Sequence, residues 1–290
     1  MLPESRWRAL ASAHARRAEQ WTAPHLARRR RGIKHPVMDF LFDYYPYSPG
    51  RLRTWHPGWG SRLEGNWNPP SSANFYINDH GWTVDPARVD LARLDMTLRI
   101  LRGTQDRPAQ HSCFGMHEWA MVYRIAPDEL RHEQEQLRLS ADDIATAVDD
   151  VGLRCTHIDA YRFFTSGAEP LNAHVPTREN QSDIEQPGCI HANMDLFKYA
   201  MWFQPYLSGA LVLDCFELSV FAREIDMRAS PYDLDYLGYA PIRVETPGGR
   251  NEYALLQREV ASRASTLRAK LIDYLTTIQD VVDRSNVRIS

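Results

Sequence analysis

Two stretches of this 290-residue chain are too apolar to face water on any side, and they constrain its fold more than any other feature. Residues 210–227 read as a helix with Leu211, Val212, Leu213, Cys215, Phe216, Leu218, Val220 and Ile225 spread around its circumference. Residues 190–203 read the same way, with Met194, Leu196, Phe197, Tyr199, Met201, Trp202 and Phe203. Burying a large apolar side chain contributes roughly 1.5–3 kcal/mol, so both helices are expected packed together at the centre. Polar residues inside them are therefore conspicuous. Asp214, Glu217 and Glu224 share one stripe with Phe221, and His191, Asp195 and Lys198 share another. A buried charge requires a partner, so each stripe faces a wet edge, an internal site or a countercharge.

The rest of the chain supplies a helix-rich frame. A basic helix is expected over about 4–31, ending in Arg28, Arg29, Arg30 and Arg31, with Lys34 just beyond. From about 35 to 82 the composition shifts to Pro, Gly, Trp and Tyr, which forbids a long helix and predicts an ordered, aromatic-stapled loop region. Asp85-Pro86 opens a helix to about 102, and Ser140 caps one that ends near Gly152. A long amphipathic helix follows over about 250–284. Alternating patterns predict strands over 116–125 and 154–164, the second with Cys155, His157, Asp159, Tyr161 and Phe163 on one face. The expectation is a helix-dominated α+β fold with one small antiparallel sheet and a long C-terminal amphipathic helix, in a single domain over 1–290.

Composition excludes several classes of function. With 34 Lys and Arg against 37 Asp and Glu the net charge is −3, so the chain is no general polycation for nucleic acid. Contact with DNA would fall to a local patch, and Arg28, Arg29, Arg30, Arg31 and Lys34 are the candidates. No run reaches the roughly 18–20 apolar residues of a membrane span, and the start is arginine-rich with no apolar signal core. A cytoplasmic protein with no membrane partner is expected. Its four cysteines form no CxxC and read as small buried hydrophobes.

HExxH, GxSxG, Walker A and GxGxxG patterns are all missing, which argues against zincins, serine hydrolases and common nucleotide-binding folds. One ExxH, Glu129 to His132, lies in a very polar stretch and is expected to be exposed. More telling are three histidines in apolar segments, each beside a carboxylate: His117 with Glu118, His157 with Asp159, His191 with Asp195. Such pairs suit oriented acid–base groups, ligands for iron, manganese or zinc, or structural hydrogen bonds. One member of each pair is expected in a common cavity. Asp195, Glu118 and Asp226 are the candidate catalytic carboxylates. His117, His157, Asp159, Arg178, Gln186, His191, Asn193, Arg228 and Tyr232 are the candidate substrate-binding set, with Arg228 expected in a charge network with Asp226 and Asp233.

The phrases HSCFGMHEWAMVYR, LRCTHIDAYRFF, EQPGCIHANMDLFKYA, LVLDCFEL and REIDMRASPYDL carry a family resemblance, with ARRRRGIKHPVMDFLFDYYPYSPGRLRTWHPG upstream. They resemble an actinobacterial family that goes by the name 3-methyladenine DNA glycosylase, over nearly the whole chain from about Trp21 to Ile272. The resemblance implies an N-glycosidic hydrolase that releases a modified base from DNA or a nucleoside and needs no cofactor. That chemistry requires a pocket with π-faces and a carboxylate to stabilise oxocarbenium character. Trp119, Tyr161, Tyr199, Trp202 and Tyr232 could line such a pocket. Two alternatives remain from the residues themselves: an enzyme dependent on a divalent metal held by the His/Asp/Glu cluster, and a non-catalytic binding protein.

Overall fold

A computed structural model describes residues 1–70, 73–125 and 135–287 of the chain. In chain order the helices are α1 (Glu4–Arg30), α2 (Phe40–Tyr44), α3 (Pro49–Arg53), α4 (Leu91–Asp106), α5 (Met116–Ala120), α6 (Ala141–Val151), α7 (Ile158–Tyr161), α8 (Gln181–Ile184), α9 (Ile190–Trp202), α10 (Gly209–Arg228) and α11 (Pro247–Val287). The strands are β1 (Arg62–Leu63), β2 (Tyr76–Asn78) and β3 (Trp82–Val84). The fold is a helix-dominated α+β arrangement with one small antiparallel sheet and a long C-terminal helix. No helix among the described residues is long and apolar enough to cross a membrane.

The chain groups into two compact units. The first comprises Met1–Arg99, Asp195–Val220 and Thr266–Ser290, and the second Ile100–Met194 and Phe221–Ser265. Their boundaries fall inside α4, α9, α10 and α11 and not in Pro- or Gly-rich linkers.

In the first unit, apolar faces of α9 and α10 meet through Phe197 and Phe216, whose ring centroids lie 5.1 Å apart. The carboxylates of the α10 stripe find their countercharge on α1. The Arg17 guanidinium donates to Asp214 at 2.7 Å and to Glu217 at 2.8 Å. Two of the three carboxylates therefore clamp α10 to α1. The sheet has the order β1–β3–β2, with Leu63 opposite Trp82 and Tyr76 opposite Val84. It forms within the aromatic region read as loop, where Trp67 stacks edge-on against Tyr76 and fixes one face.

The strands expected over 116–125 and 154–164 are not there. Both segments fold into single helical turns, α5 and α7, in the second unit. The physical reason is local. Gly115 adopts φ 70°, a left-handed value that favours glycine, and turns the chain directly into α5. At α7 the His157 carbonyl accepts from the Ala160 and Tyr161 amides before any strand partner can. The helix expected from Pro86 also divides, into a short 3-10 turn at Pro86–Arg88 and then α4. Two of the helix expectations hold. Ser140 caps α6 by accepting from the Asp143 amide at 3.1 Å, and α11 buries Tyr253, Val260, Leu271, Leu275 and Ile278. Glu129 and His132 lie outside the described residues.

Candidate metal centre

Three segments of the second unit deliver the site. Gly115 launches α5, which carries His117 and Glu118. Gly188 precedes α9, whose second residue is His191. The last turns of α10 place Arg223 and Asp226 three residues apart on one face. The approach to α9 is held by its own polar groups. The Gln186 side-chain oxygen accepts from the amides of Gln110 (2.8 Å) and Gly188 (2.7 Å), while the Gln257 amide donates to the Gly188 carbonyl at 2.7 Å. A Cβ on Gly188 would lie 2.2 Å from the Gln110 carbonyl oxygen, so only glycine fits there.

The donor atoms of His117, His191 and Asp226 all lie within 4.8 Å of one another. His117 Nε2 is 2.8 Å from Asp226 Oδ1, a buried ion-pair contact. The other carboxylate oxygen is occupied, because Arg223 Nη1 donates to Oδ2 at 2.9 Å and to Glu118 Oε1 at 2.8 Å. The Arg223 side chain is 1 % exposed, so this ion-pair triad sits in a dry interior. The His117 and His191 rings are nearly perpendicular at 4.4 Å, and His157 stacks on His191 at 5.5 Å.

Electrostatics separates the two imidazoles. Burial opposes charge on His117, but the Asp226 carboxylate outweighs it and raises the pKa. Burial and the neighbouring His117 hold His191 well below its ordinary value, so it is a neutral imidazole with a lone pair to offer. Burial alone would raise Asp226, yet His117, His191 and Arg223 together keep it below the usual carboxylate range. Nearby thiols are inert: burial pushes Cys155 up to about 12 and Cys189 well above its normal value.

His117, His191 and Asp226 could hold a divalent ion. Two imidazoles with one carboxylate suit iron, manganese or zinc. Arg223 holds Asp226 Oδ2 and leaves Oδ1 toward His117.

Of the residues singled out from the sequence, His117, Glu118, His191 and Asp226 come together here, with His157 at its edge. His157 Nε2 lies 3.3 Å from Glu185 Oε1. Asp159 instead pairs with Arg178 and, at 3.5 Å, with Arg162. Asp195 belongs to the first unit, where the Tyr45 hydroxyl donates to it at 2.9 Å and Lys198 pairs with it. Asn193 donates to the Pro187 carbonyl at 3.0 Å, and Tyr232 is buried in a bridge opposite Leu137. Arg228 is not in the triad. It donates to the Ala240 carbonyl at 2.9 Å and lies 3.5 Å from Glu252, because the helix rotates it away from Asp226 toward the surface. The buried cation is Arg223, which sequence reasoning passed over. Its signal was available: an arginine among apolar helix neighbours, three residues before an aspartate. Of the basic run, Arg28 pairs with Asp39, while Arg29, Arg30, Arg31 and Lys34 are exposed.

No protein-family model, no curated protein and no solved structure matches this chain.

Proposed function

We infer that the chain is a metal-dependent enzyme whose ion is held by His117 Nε2, an imidazole nitrogen of His191 and Asp226 Oδ1. The observation that carries this reading is that the donor atoms of His117, His191 and Asp226, delivered by three separate segments, all lie within 4.8 Å of one another. Three protein ligands leave coordination positions for water and substrate, the arrangement that catalytic metal sites keep. The test is metal analysis of the purified protein, followed by calorimetric titration of the chelator-treated protein with iron(II), manganese(II) and zinc(II). One ion per chain, lost in His191→Ala with the fold retained, is expected. A chain that binds none of the three above background overturns the reading.

A second reading, release of a modified base from DNA or a nucleoside, is supported by one specific coincidence. His117, His191 and Asp226 each fall within a different phrase of those that resemble the glycosylase family. In that reading Glu118 or Asp226 supplies the carboxylate, and exposed Arg29, Arg30, Arg31 and Lys34 supply phosphate contacts. The space beside His117 and His191 is about 20 Å³, too small for a purine, so the base would be received elsewhere. Base release from alkylated DNA, with and without chelator, tests this reading and its dependence on the metal together.

A further inference from the structure

A surface groove of about 450 Å³ opens in the second unit, with half-buried Met121, Ile125 and Phe163 among its walls. Its two sides are tied together. The Thr165 amide donates to the Ala120 carbonyl at 3.1 Å, and the Thr165 hydroxyl donates to the Tyr123 carbonyl at 3.0 Å. Phe164, 6 % exposed, lines this groove and also the small space that His117 and His191 line. One side chain therefore stands between the two. The groove has the size of an ordinary small-molecule site, which the inner space has not. Arg124 is the only charged residue in its lining, and no carboxylate lines it. The Arg124 backbone holds φ 50°, a left-handed value uncommon outside glycine, and its guanidinium lies 4.9 Å over the Tyr123 ring. Its Nη2 donates to Asp149 at 3.2 Å, but both side chains are open to solvent, where such a pair stabilises little. The fork of donors can turn to an anionic guest at small cost.

Resting on the metal reading above, we propose that this groove receives the organic substrate, an apolar body bearing a single negative charge such as a ring or hydrocarbon carboxylate, and that Phe164 is the movable wall between it and His117 and His191. The apolar walls take the body, and one cation matches one charge rather than the several of a polyphosphate. Cationic guests are disfavoured, since no acid lines the groove. Turning the Phe164 ring to another rotamer joins the groove to the inner space and brings a bound molecule toward the two imidazoles. Binding and access alone are inferred; no bond is made or broken.

Two measurements on the full chain test this, and neither needs an ion. Calorimetric titration compares naphthoate with its uncharged amide, naphthamide. Naphthoate is expected to bind about tenfold more tightly, as one charge-assisted hydrogen bond allows, and Arg124→Gln to abolish the preference. Gly167→Phe is expected to fill the groove and remove binding of both; its Cβ would make only ordinary contact with the Tyr123 ring, at 3.6 Å. The second measurement follows methyl methanethiosulfonate modification, mapped by mass spectrometry, of Cys155 and Cys189. Both line the inner space, and burial keeps both thiols unreactive. Phe164→Ala is expected to speed their modification several-fold and to leave Cys215, buried in α10, unchanged as the control for unfolding. Should Cys215 accelerate too, the same comparison is read in Phe164→Leu. Naphthoate that does not bind, binds no better than the amide, or binds Gly167→Phe as well as the wild type overturns the inference, as do thiols indifferent to Phe164. Metal titration of the same preparations keeps the two readings apart: groove binding without an ion fails the metal reading, and an ion without groove binding fails only this one.

Discussion

Asp226 Oδ1 lies 2.8 Å from His117 Nε2, while Asp226 Oδ2 accepts from Arg223 at 2.9 Å. One carboxylate thus serves a cation on one oxygen and an imidazole on the other, in a position with no exposure to solvent. This division of labour predicts how its replacement behaves. Asp226→Asn preserves shape and an oxygen for Arg223 but withdraws the anionic ligand. Metal affinity should fall by more than the roughly 10–100-fold typical of losing an outer-shell partner, since a direct ligand is lost. Asp226→Ala should in addition cost about 3–5 kcal/mol in urea unfolding of the metal-free protein. Metal titrations unaffected by Asp226→Asn would remove Asp226 from the ligand set.

Arg223 neutralises two buried carboxylates at once, which makes its deletion asymmetric. Arg223→Met leaves Glu118 and Asp226 facing each other in a dry interior and should destabilise by about 3–5 kcal/mol. Adding Glu118→Gln removes one of the stranded charges and should restore part of that loss. The double-mutant cycle is expected to yield a coupling of about 0.5–3 kcal/mol. Additive losses would mean that the 2.8 Å Arg223–Glu118 contact carries no interaction energy.

Gly188→Ala tests how His191 is aimed. The added methyl would collide with the Gln110 carbonyl at 2.2 Å, and backbone cannot yield there as a flexible side chain could. The shift should pass through the Gly188–Gln257 hydrogen bond to the start of α9 and move His191. Weaker metal binding with the far-ultraviolet circular dichroism retained is expected. Unchanged affinity would show that α9 is positioned by its buried apolar face alone.

These sites also show what the sequence made legible. The long helices followed from apolar runs and caps, because Phe197, Phe216 and Leu271 have nowhere else to go. His117, His191 and Asp226 stood out as polar residues in apolar surroundings, and burial did bring them together. What pattern could not supply was the direction of short elements. A ten-residue alternation is compatible with a single helical turn once Gly115 or the His157 carbonyl captures the local hydrogen bonds. The sheet was hidden for the opposite reason: β1, β2 and β3 are two or three residues long, shorter than any periodicity can register. Arg223 was missed and Arg228 chosen since five residues along a helix rotate a side chain by more than a third of a turn, which decides between interior and surface.

His56 gives the first unit a pH dependence of its own. It is 3 % exposed, its Nδ1 is hydrogen-bonded to the Tyr76 hydroxyl at 2.6 Å, and the ring is stacked on that of Tyr76. Burial, then His14 and Arg51 nearby, hold its pKa down to about 3, against 6.5 for an unperturbed histidine. In the unfolded chain His56 therefore takes up a proton as the pH falls through 6.5, while in the folded chain it stays neutral until about 3. Between those values the unfolded state binds more protons, so stability falls with falling pH, by up to about 1.4 kcal/mol per pH unit from this residue. Above 6.5 its contribution is complete and flat. Urea unfolding at pH 7.5, 6 and 5 should show a steeper decline in the wild type than in His56→Phe, which cannot protonate. Because Phe lacks the bond to Tyr76, the variant starts lower at pH 7.5, and the comparison rests on slopes. Parallel slopes across that range would mean that His56 is solvated enough to titrate normally in the folded protein.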